Sequence, residues 1–150
     1  FQPDTKKPCN KNITMKVTTN WVSHLAFDVT ADTGQTVRLD TTIENGSLGS
    51  GMNPKKMMLG ALCGCSGIDV VEILNKMKVP FTTLSIEATA EQTDTVPKVF
   101  SVINMTYKAD VGEAHLDQFN RAVSLSQEKY CGVSAMLAKV CPIHYTVALV

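Results

Sequence analysis

The feature that most constrains the fold is a long apolar run that begins at Asn53 and Pro54 and ends at about Met77. Asn53 suits the N-cap of a helix, Pro54 suits its first turn, and Pro80 stops a helix from continuing further. The run therefore predicts one long helix. Because its first turns are apolar on nearly every side, we expect this helix to be buried.

Three glycines lie inside this predicted helix, and each costs roughly 1 kcal/mol relative to alanine. At about 100° per residue, Gly60, Cys63 and Gly67 fall on one side of the helix, with Gly64 beside them. Small residues let another backbone come close, which offsets that cost. We therefore expect a second helix to pack tightly against this seam, with Cys63 as one of its small structural residues.

Cys65 lies on a different face of the same helix, roughly 200° from Cys63. While the segment is helical, these two thiols can neither form a disulfide nor bind one metal ion. Asp69 follows Cys65 by one helical turn, and a carboxylate beside a thiol is unusual inside a buried helix. That pairing is the first indication of a functional site.

The composition is that of an ordinary globular domain, with 44% hydrophobic and 19% charged residues. Fourteen basic and fourteen acidic residues cancel, which argues against nucleic acid or a membrane surface as a partner, and we find no apolar run of transmembrane length. The five cysteines show no disulfide spacing, so we expect a reducing, cytoplasmic location. We expect residues 1–14, with Cys9, to be an N-terminal extension (native or added) and residues 15–150 to be one domain.

The remaining pattern predicts an α+β fold. Alternating residues indicate strands between 15 and 42, with a hairpin turn at Asp32-Thr33-Gly34, and a flexible glycine-containing loop follows at 43–52. After the long helix we expect, in order, strands at 84–90 and 103–109, helices at 113–128 and 130–140, and a last strand at 143–149.

Two segments around cysteines resemble the OsmC/Ohr family, and most closely its YhfA-like branch. The first is Gly64–Val71, which follows Pro54 at the family's spacing, and the second is Leu125–Ser134. The resemblance covers residues 15–150. It implies an OsmC-like fold in which strands wrap around two long central helices of an intertwined homodimer, and such a dimer would supply the close helix contact that the glycines favour.

The resemblance also implies a thiol-dependent peroxidase without metal or cofactor, in which Cys65 is the nucleophile and Cys131 the resolving thiol. A thiolate attacks a hydroperoxide, organic or inorganic, and becomes a sulfenic acid, which the second thiol converts to a disulfide. A cellular dithiol then reduces the disulfide. Because Cys131 lies at a predicted helix start, we expect free amides there to favour its thiolate.

The charges around this pair depart from the better-known branches, which place a glutamate after the proline and an arginine in the early strands. Here Lys55 follows Pro54, and no arginine matches the family position. We expect Lys129 or Arg38 to supply a cation and Glu128 a carboxylate. Asp69 raises the pKa of a neighbouring thiol unless a cation compensates it.

Two other interpretations remain open at this point. A metal site at Cys141 and His144 is disfavoured, because residues three apart on a strand face opposite ways. The alternative function is a small-molecule-binding or stress-associated dimer that keeps the fold without catalysing peroxide reduction. Lys55 favours that alternative, and the cysteine pair favours the enzyme.

Overall fold

The computed structural model describes residues 14–150, which divide into two compact units at residues 54 and 55. Cys9 and nearly all of the predicted extension lie outside the described residues. The expectation of one domain over residues 15–150 stays a prediction. The two units are described separately below.

The first unit contains an antiparallel sheet of three strands, β1 (Val17–Ser23), β2 (Ala26–Ala31) and β3 (Thr36–Leu39), in that spatial order. The predicted hairpin between β2 and β3 is confirmed. Gly34 occupies its turn with a φ of 98°, a conformation that glycine adopts without a steric penalty.

The segment before the long helix was expected to be a flexible loop, but Asp40 organises it. The buried carboxylate of Asp40 accepts hydrogen bonds from the Ser47 hydroxyl, from the Thr41 amide at 2.7 Å, and from the Ser50 amide at 2.8 Å and hydroxyl at 2.7 Å. The hydroxyls of Ser47 and Ser50 hold the pKa of Asp40 well below its usual range, against the opposing effect of burial. The segment also contains a 3₁₀ turn, Ile43–Asn45.

The second unit combines the long helix with a second sheet and two short helices. Its elements are α1 (Pro54–Lys76), β4 (Leu84–Gln92), β5 (Phe100–Ala109), α2 (Leu116–Leu125), α3 (Gly132–Leu137) and β6 (Ile143–Leu149). Strand β5 is central, antiparallel to β4 and parallel to β6. Helices α2 and α3 form the crossover that a parallel β5–β6 pair requires. The α+β class and the order of these elements are confirmed.

The helical segment between β5 and β6 differs in detail from the prediction. A 3₁₀ turn, Glu113–His115, precedes α2, and a π-helical turn, Ser126–Tyr130, follows it. The amide of Cys131 donates to the carbonyl of Ser126 at 2.8 Å, which closes this wider turn. The chain then leaves the helix at Cys131, whose backbone is extended, before α3 begins.

The expectation that α1 is buried on nearly every side is wrong within the described chain. A single stripe spaced by four residues is buried, and its members are Leu62, Ser66, Val70 and Leu74. By length and composition alone α1 would also be able to cross a membrane, contrary to the sequence-based expectation. The same apolar character serves here to pack the helix into the core of the second unit.

The glycines of α1 do not form one continuous contact in the described chain. A Cβ added at Gly67 would lie 3.1 Å from Cδ1 of Ile86, so Gly67 allows close approach of strand β4. Gly60 and Gly64 have no atom within 4 Å of an added Cβ, among the residues described. The close contact that the sequence predicted with a helix is therefore, at Gly67, a contact with a strand.

Truncation of the buried stripe should destabilise the second unit. Leu74 is 0% exposed and belongs to the core cluster, so Leu74→Ala is expected to reduce the free energy of unfolding by about 2–5 kcal/mol. Val96→Ala is the control, since Val96 is 96% exposed and should change stability by less than about 0.5 kcal/mol. Urea denaturation followed by circular dichroism measures both, and equal midpoints would contradict the assigned core.

Candidate active site

Cys65 of α1 and Cys131 at the start of α3 lie near each other. The neighbouring Cys65 thiol is one of the groups that raise the pKa of Cys131. Cys131 is 3% exposed and Cys65 is half-buried, and both are free thiols. The fold thus brings together two sulfur atoms that are far apart in the sequence.

The surroundings of Cys131 keep it protonated. Its sulfur caps α3 by accepting a hydrogen bond from the amide of Ser134 at 3.4 Å. Burial raises the pKa of Cys131, the hydroxyl and amide of Ser134 lower it, Cys65 raises it, and the net direction is upward. The sequence-based expectation of a thiolate at this helix start is therefore wrong, because desolvation outweighs the donors.

Four polar side chains near Cys131 are hydrogen-bonded to one another, and we call Ser66, Tyr107, Ser126 and Gln127 the polar cluster. The Ser66 hydroxyl lies 2.6 Å from the Tyr107 oxygen and 2.8 Å from the Ser126 oxygen. Nε2 of Gln127 donates to Ser66 at 3.0 Å and to Tyr107 at 2.6 Å. These bonds tie α1, β5 and the π-helical turn to one another.

The polar cluster connects a carboxylate with the cap of α3. At one end the hydroxyl of Ser126 donates to Oδ2 of Asp69 at 3.0 Å. At the other end the hydroxyl of Ser134 donates to Oε1 of Gln127 at 2.9 Å. Asp69, which the sequence singled out for its spacing from Cys65, therefore has a hydrogen-bonding partner in Ser126.

The interior around the polar cluster is apolar enough to suppress ionisation. Burial raises the pKa of Tyr107 to about 12, although its bonds with Ser66 and Gln127 act in the opposite direction. The thiols of Cys131 and Cys63 also disfavour the phenolate. Burial likewise raises the pKa of Cys63. At neutral pH the phenol of Tyr107 and the thiols of Cys63 and Cys131 are therefore protonated.

The other charged residues predicted for the site have partners of their own. Oε1 of Glu128 accepts from Ser124 at 3.1 Å and from Tyr145 at 3.2 Å. The ammonium of Lys129 lies 5.3 Å from the centre of the Tyr130 ring. Among the residues described, neither Glu128 nor Lys129 hydrogen-bonds to a cysteine. Their supporting role stays a prediction.

Arg38 belongs to the first unit, where its guanidinium binds the carboxylate of Asp28 through two N–H groups, one of them at 3.0 Å. The hydrogen bonds from Arg38 lower the pKa of Asp28. A supporting role for Arg38 is likewise still a prediction. Across residues 14–150, no group of three or more His, Cys, Asp or Glu side chains is arranged to hold a metal ion.

Sequence reasoning did not single out the polar cluster, although three of its four members stand inside the two family segments. One signal was available, because Ser66 occupies a core position between Leu62 and Val70 on the apolar stripe of α1. A hydroxyl at such a position needs a buried partner. No comparable signal marked Gln127, because a regular helix through the π-helical turn would have given it a different direction.

Comparison with known proteins agrees with this fold. The family model for OsmC-like proteins matches residues 45–146. Protein YhfA of Escherichia coli K12 is 32% identical over 136 residues, which cover 91% of this chain and 98% of YhfA.

Solved structures show the same architecture. A hypothetical protein from Aquifex aeolicus VF5 is 26% identical, with a TM-score of 0.76 and coverage of 92% of this chain and 98% of the other. The organic hydroperoxide resistance protein OhrB of Bacillus subtilis is 14% identical, with a TM-score of 0.65 and coverage of 91% and 98%. At that identity the second comparison shows the fold alone.

The buried phenol of Tyr107 gives a direct test of the site's polarity. In a spectrophotometric titration at 295 nm, the phenol of Tyr107 should ionise with a pKa of about 12, and Tyr107→Phe should remove that step. Because the folded state favours the protonated phenol, this contribution to stability is full below about pH 10 and is lost as the pH rises towards 12. A titration of the folded protein that was complete by pH 10.5 would contradict the burial of this group.

Proposed function

The chain belongs to the OsmC family, and we propose that it is a thiol-dependent peroxidase that reduces organic hydroperoxides through Cys65 and Cys131. The single observation that supports this proposal is that the free thiol of Cys65 is near enough to Cys131 to raise its pKa. The two cysteines are far apart in the sequence, and the fold brings them near each other. A thiol that reacts with peroxide needs such a neighbour to form an intramolecular disulfide.

The proposed reaction has three steps. The Cys65 thiolate attacks the distal oxygen of ROOH, the O–O bond breaks, and the alkoxide takes a proton to leave as ROH. The resulting Cys65 sulfenic acid reacts with the Cys131 thiol, so that an S–S bond forms, the S–O bond breaks, and hydroxide leaves with the thiol proton as water. A cellular dithiol reduces the disulfide and is itself oxidised.

The exposure of the two sulfurs supports this division of roles. Cys65 is half-buried and accessible to a small molecule, whereas Cys131 is nearly fully buried. Cys131 is also held as a neutral thiol, and the thiolate is the stronger nucleophile. We therefore assign the attack on peroxide to Cys65 and the resolving step to Cys131.

The surroundings of Cys65 favour an organic hydroperoxide. Cys65 packs against the apolar core cluster of the second unit, together with Leu59 and Cys63. An alkyl group gains free energy on leaving water for such surroundings, whereas hydrogen peroxide gains little. The name of the Bacillus subtilis structural relative, an organic hydroperoxide resistance protein, agrees with this substrate class.

Nearby charges complete the proposal. Asp69 follows Cys65 by one helical turn, and its Oδ2 accepts a hydrogen bond from the hydroxyl of Ser126. We assign a supporting cation to Lys129 and a supporting carboxylate to Glu128. The dithiol reductant is expected in the cytoplasm.

The working form is proposed to be a homodimer. Gly60, Gly64 and Ile68 are exposed on α1, and this open face would accept the α1 helix of a second copy. Glycines at this face allow two helix backbones to approach closely. The close packing of the two helices thereby compensates for the low helix propensity of glycine.

One observation favours the alternative of a binding or stress-associated dimer without peroxidase activity. Lys55 stands where the better-known branches have a glutamate, and its ammonium donates to Oε1 of Gln92 at 2.5 Å and to the carbonyl of Lys98 at 2.9 Å. Lys55 thus connects the start of α1 with the end of β4 and with the loop between β4 and β5. If that carboxylate is indispensable for peroxide reduction, the chain binds its ligand without reducing it.

Disulfide mapping separates the two functions. Reduced protein treated with one equivalent of cumene hydroperoxide should form a Cys65–Cys131 disulfide, detected by mass spectrometry of the unreduced digest. Cys141→Ser is the matched control and should form the same bond, because Cys141 has no part in the cycle. Unchanged thiols after treatment would support the binding protein instead.

The two cysteine variants should differ in a way that assigns the roles. Cys65→Ser is expected to abolish consumption of hydroperoxide, whereas Cys131→Ser should complete one turnover and accumulate a sulfenic acid at Cys65, which dimedone traps. If Cys65→Ser instead completed one turnover with a sulfenic acid on Cys131, and Cys131→Ser consumed no hydroperoxide, the two roles would be reversed.

The dimer proposal is tested by filling the open face of α1. Gly64→Leu should convert the dimer to monomer in analytical ultracentrifugation, because the side chain would separate the two helices. Lys76→Leu is the control, since Lys76 lies about 120° around the helix from Gly64. A wild-type monomer, or a dimer that Gly64→Leu leaves intact, would contradict the proposed interface.

A further inference from the structure

We propose that Ser126 is a positioning residue that holds the two cysteine thiols next to each other. Its hydroxyl group does so by binding the hydroxyl of Ser66 on α1. The use of this placement in the resolving step rests on the function proposed above. The placement itself rests on hydrogen bonds and is tested below without peroxide.

A short connection through Ser126 links the backbones that carry the two cysteines. Cys65 directly precedes Ser66 in α1. The hydroxyl oxygens of Ser66 and Ser126 lie 2.8 Å apart. The carbonyl of Ser126 accepts from the amide of Cys131 at 2.8 Å. One peptide unit and two hydrogen bonds therefore define where Cys131 stands relative to Cys65.

The partners of Ser126 determine the direction of its bond with Ser66. A carboxylate only accepts, so the Ser126 hydroxyl donates its proton to Oδ2 of Asp69 at 3.0 Å. Ser66 therefore donates to Ser126, and the Ser66 oxygen accepts from Nε2 of Gln127 at 3.0 Å. Each hydroxyl has one proton and one acceptor for it, so turning either group away would break a hydrogen bond.

Ser126 also binds α1 at two neighbouring positions. Asp69 follows Ser66 by three residues, and residues three apart lie on the same face of a helix. Contact at two positions fixes the place of the π-helical turn along α1 and its orientation. Gln127 binds Ser66 as well, but the carbonyl that receives the Cys131 amide belongs to Ser126. Ser126 therefore contacts both α1 and Cys131.

Water does not compete for the bond between the two serines. Ser66 and Ser126 are each 0% exposed. Breaking a hydrogen bond between buried groups leaves a donor and an acceptor unsatisfied, which is unfavourable. The bond between Ser66 and Ser126 therefore holds as long as the second unit is folded.

The consequence for the thiols is a high effective concentration of one for the other. Two groups held in one geometry react as if each were present at high local concentration, and freedom of either group lowers that value. Loss of the Ser66–Ser126 bond lets Cys131 move relative to α1. The Cys65–Cys131 disulfide then forms less favourably, although the protein remains folded.

The test measures this effective concentration at equilibrium with glutathione. Glutathione disulfide takes two electrons from the two thiols and leaves as two glutathione thiols, while the Cys65–Cys131 bond forms. Alkylation of the remaining thiols and mass spectrometry give the equilibrium constant. Ser126→Ala and Ser66→Ala should each lower this constant by about three- to tenfold, the value of one hydrogen bond.

The double variant assigns the effect to one bond. Both single substitutions remove the bond between Ser66 and Ser126, so the double variant should have nearly the same equilibrium constant as either single variant. Leu74→Ala is the matched control, because it weakens the core of the second unit and leaves the residues of the polar cluster in place. Its equilibrium constant should equal that of the wild type.

Factors that multiply in the double variant would overturn the proposal, and so would an equal fall in Leu74→Ala or a wild type that forms no Cys65–Cys131 disulfide. If the double variant does not fold, the comparison of Ser66→Ala with Leu74→Ala decides, since only Ser66→Ala should lower the constant. A protein that shows the expected pattern without reducing cumene hydroperoxide would retain this inference and lose the proposed function. One that reduces the hydroperoxide with unchanged constants in both serine variants would do the opposite.

Discussion

A hydroxyl group placed inside an apolar helix stripe is the constraint on which the second unit depends. Ser66 lies between Leu62 and Val70 and is fully buried. A buried hydroxyl without a partner costs about 1–3 kcal/mol, so this position stabilises the fold only when other elements satisfy it. Tyr107 of β5 and the π-helical turn do so. A polar group thereby specifies how the helix, the strand and the turn are arranged.

The π-helical turn converts that arrangement into a thiol pair. In a regular α-helix through residues 126–130, the side chains of Ser126 and Gln127 would point in other directions. Cys131 would then lie inside a continuous helix. The bond from the Cys131 amide to the Ser126 carbonyl widens the turn by one residue. The extended backbone at Cys131 then starts a new helix, and its sulfur caps that helix by accepting from the amide of Ser134. The geometry of the site is therefore a consequence of how the Ser66 hydroxyl is satisfied.

The sequence predicted the elements well because their signals are local. Pro54 and the periodicity of the apolar run defined α1, and alternation defined β4 to β6. Two properties could not be predicted from the sequence, namely the π-helical turn and the burial of α1. The π-helical turn depends on tertiary hydrogen bonds to Ser66, and helical periodicity gives no sign of it. The burial of α1 depends on where neighbouring elements pack against it. The apolar composition of the helix shows only which of its faces could be buried.

The protonation of Cys131 shows why position in a helix is a weak predictor of thiol chemistry. Favourable interaction with a helix start is worth about 0.3–1 kcal/mol at ordinary sites, and α3 has only six residues. Burial is able to shift a pKa by several units, each worth about 1.4 kcal/mol. Burial therefore decides the outcome at Cys131, although Ser134 supplies two donors. A pair of adjacent cysteines benefits from this result, because the two thiols differ in exposure and surroundings and so are suited to different steps.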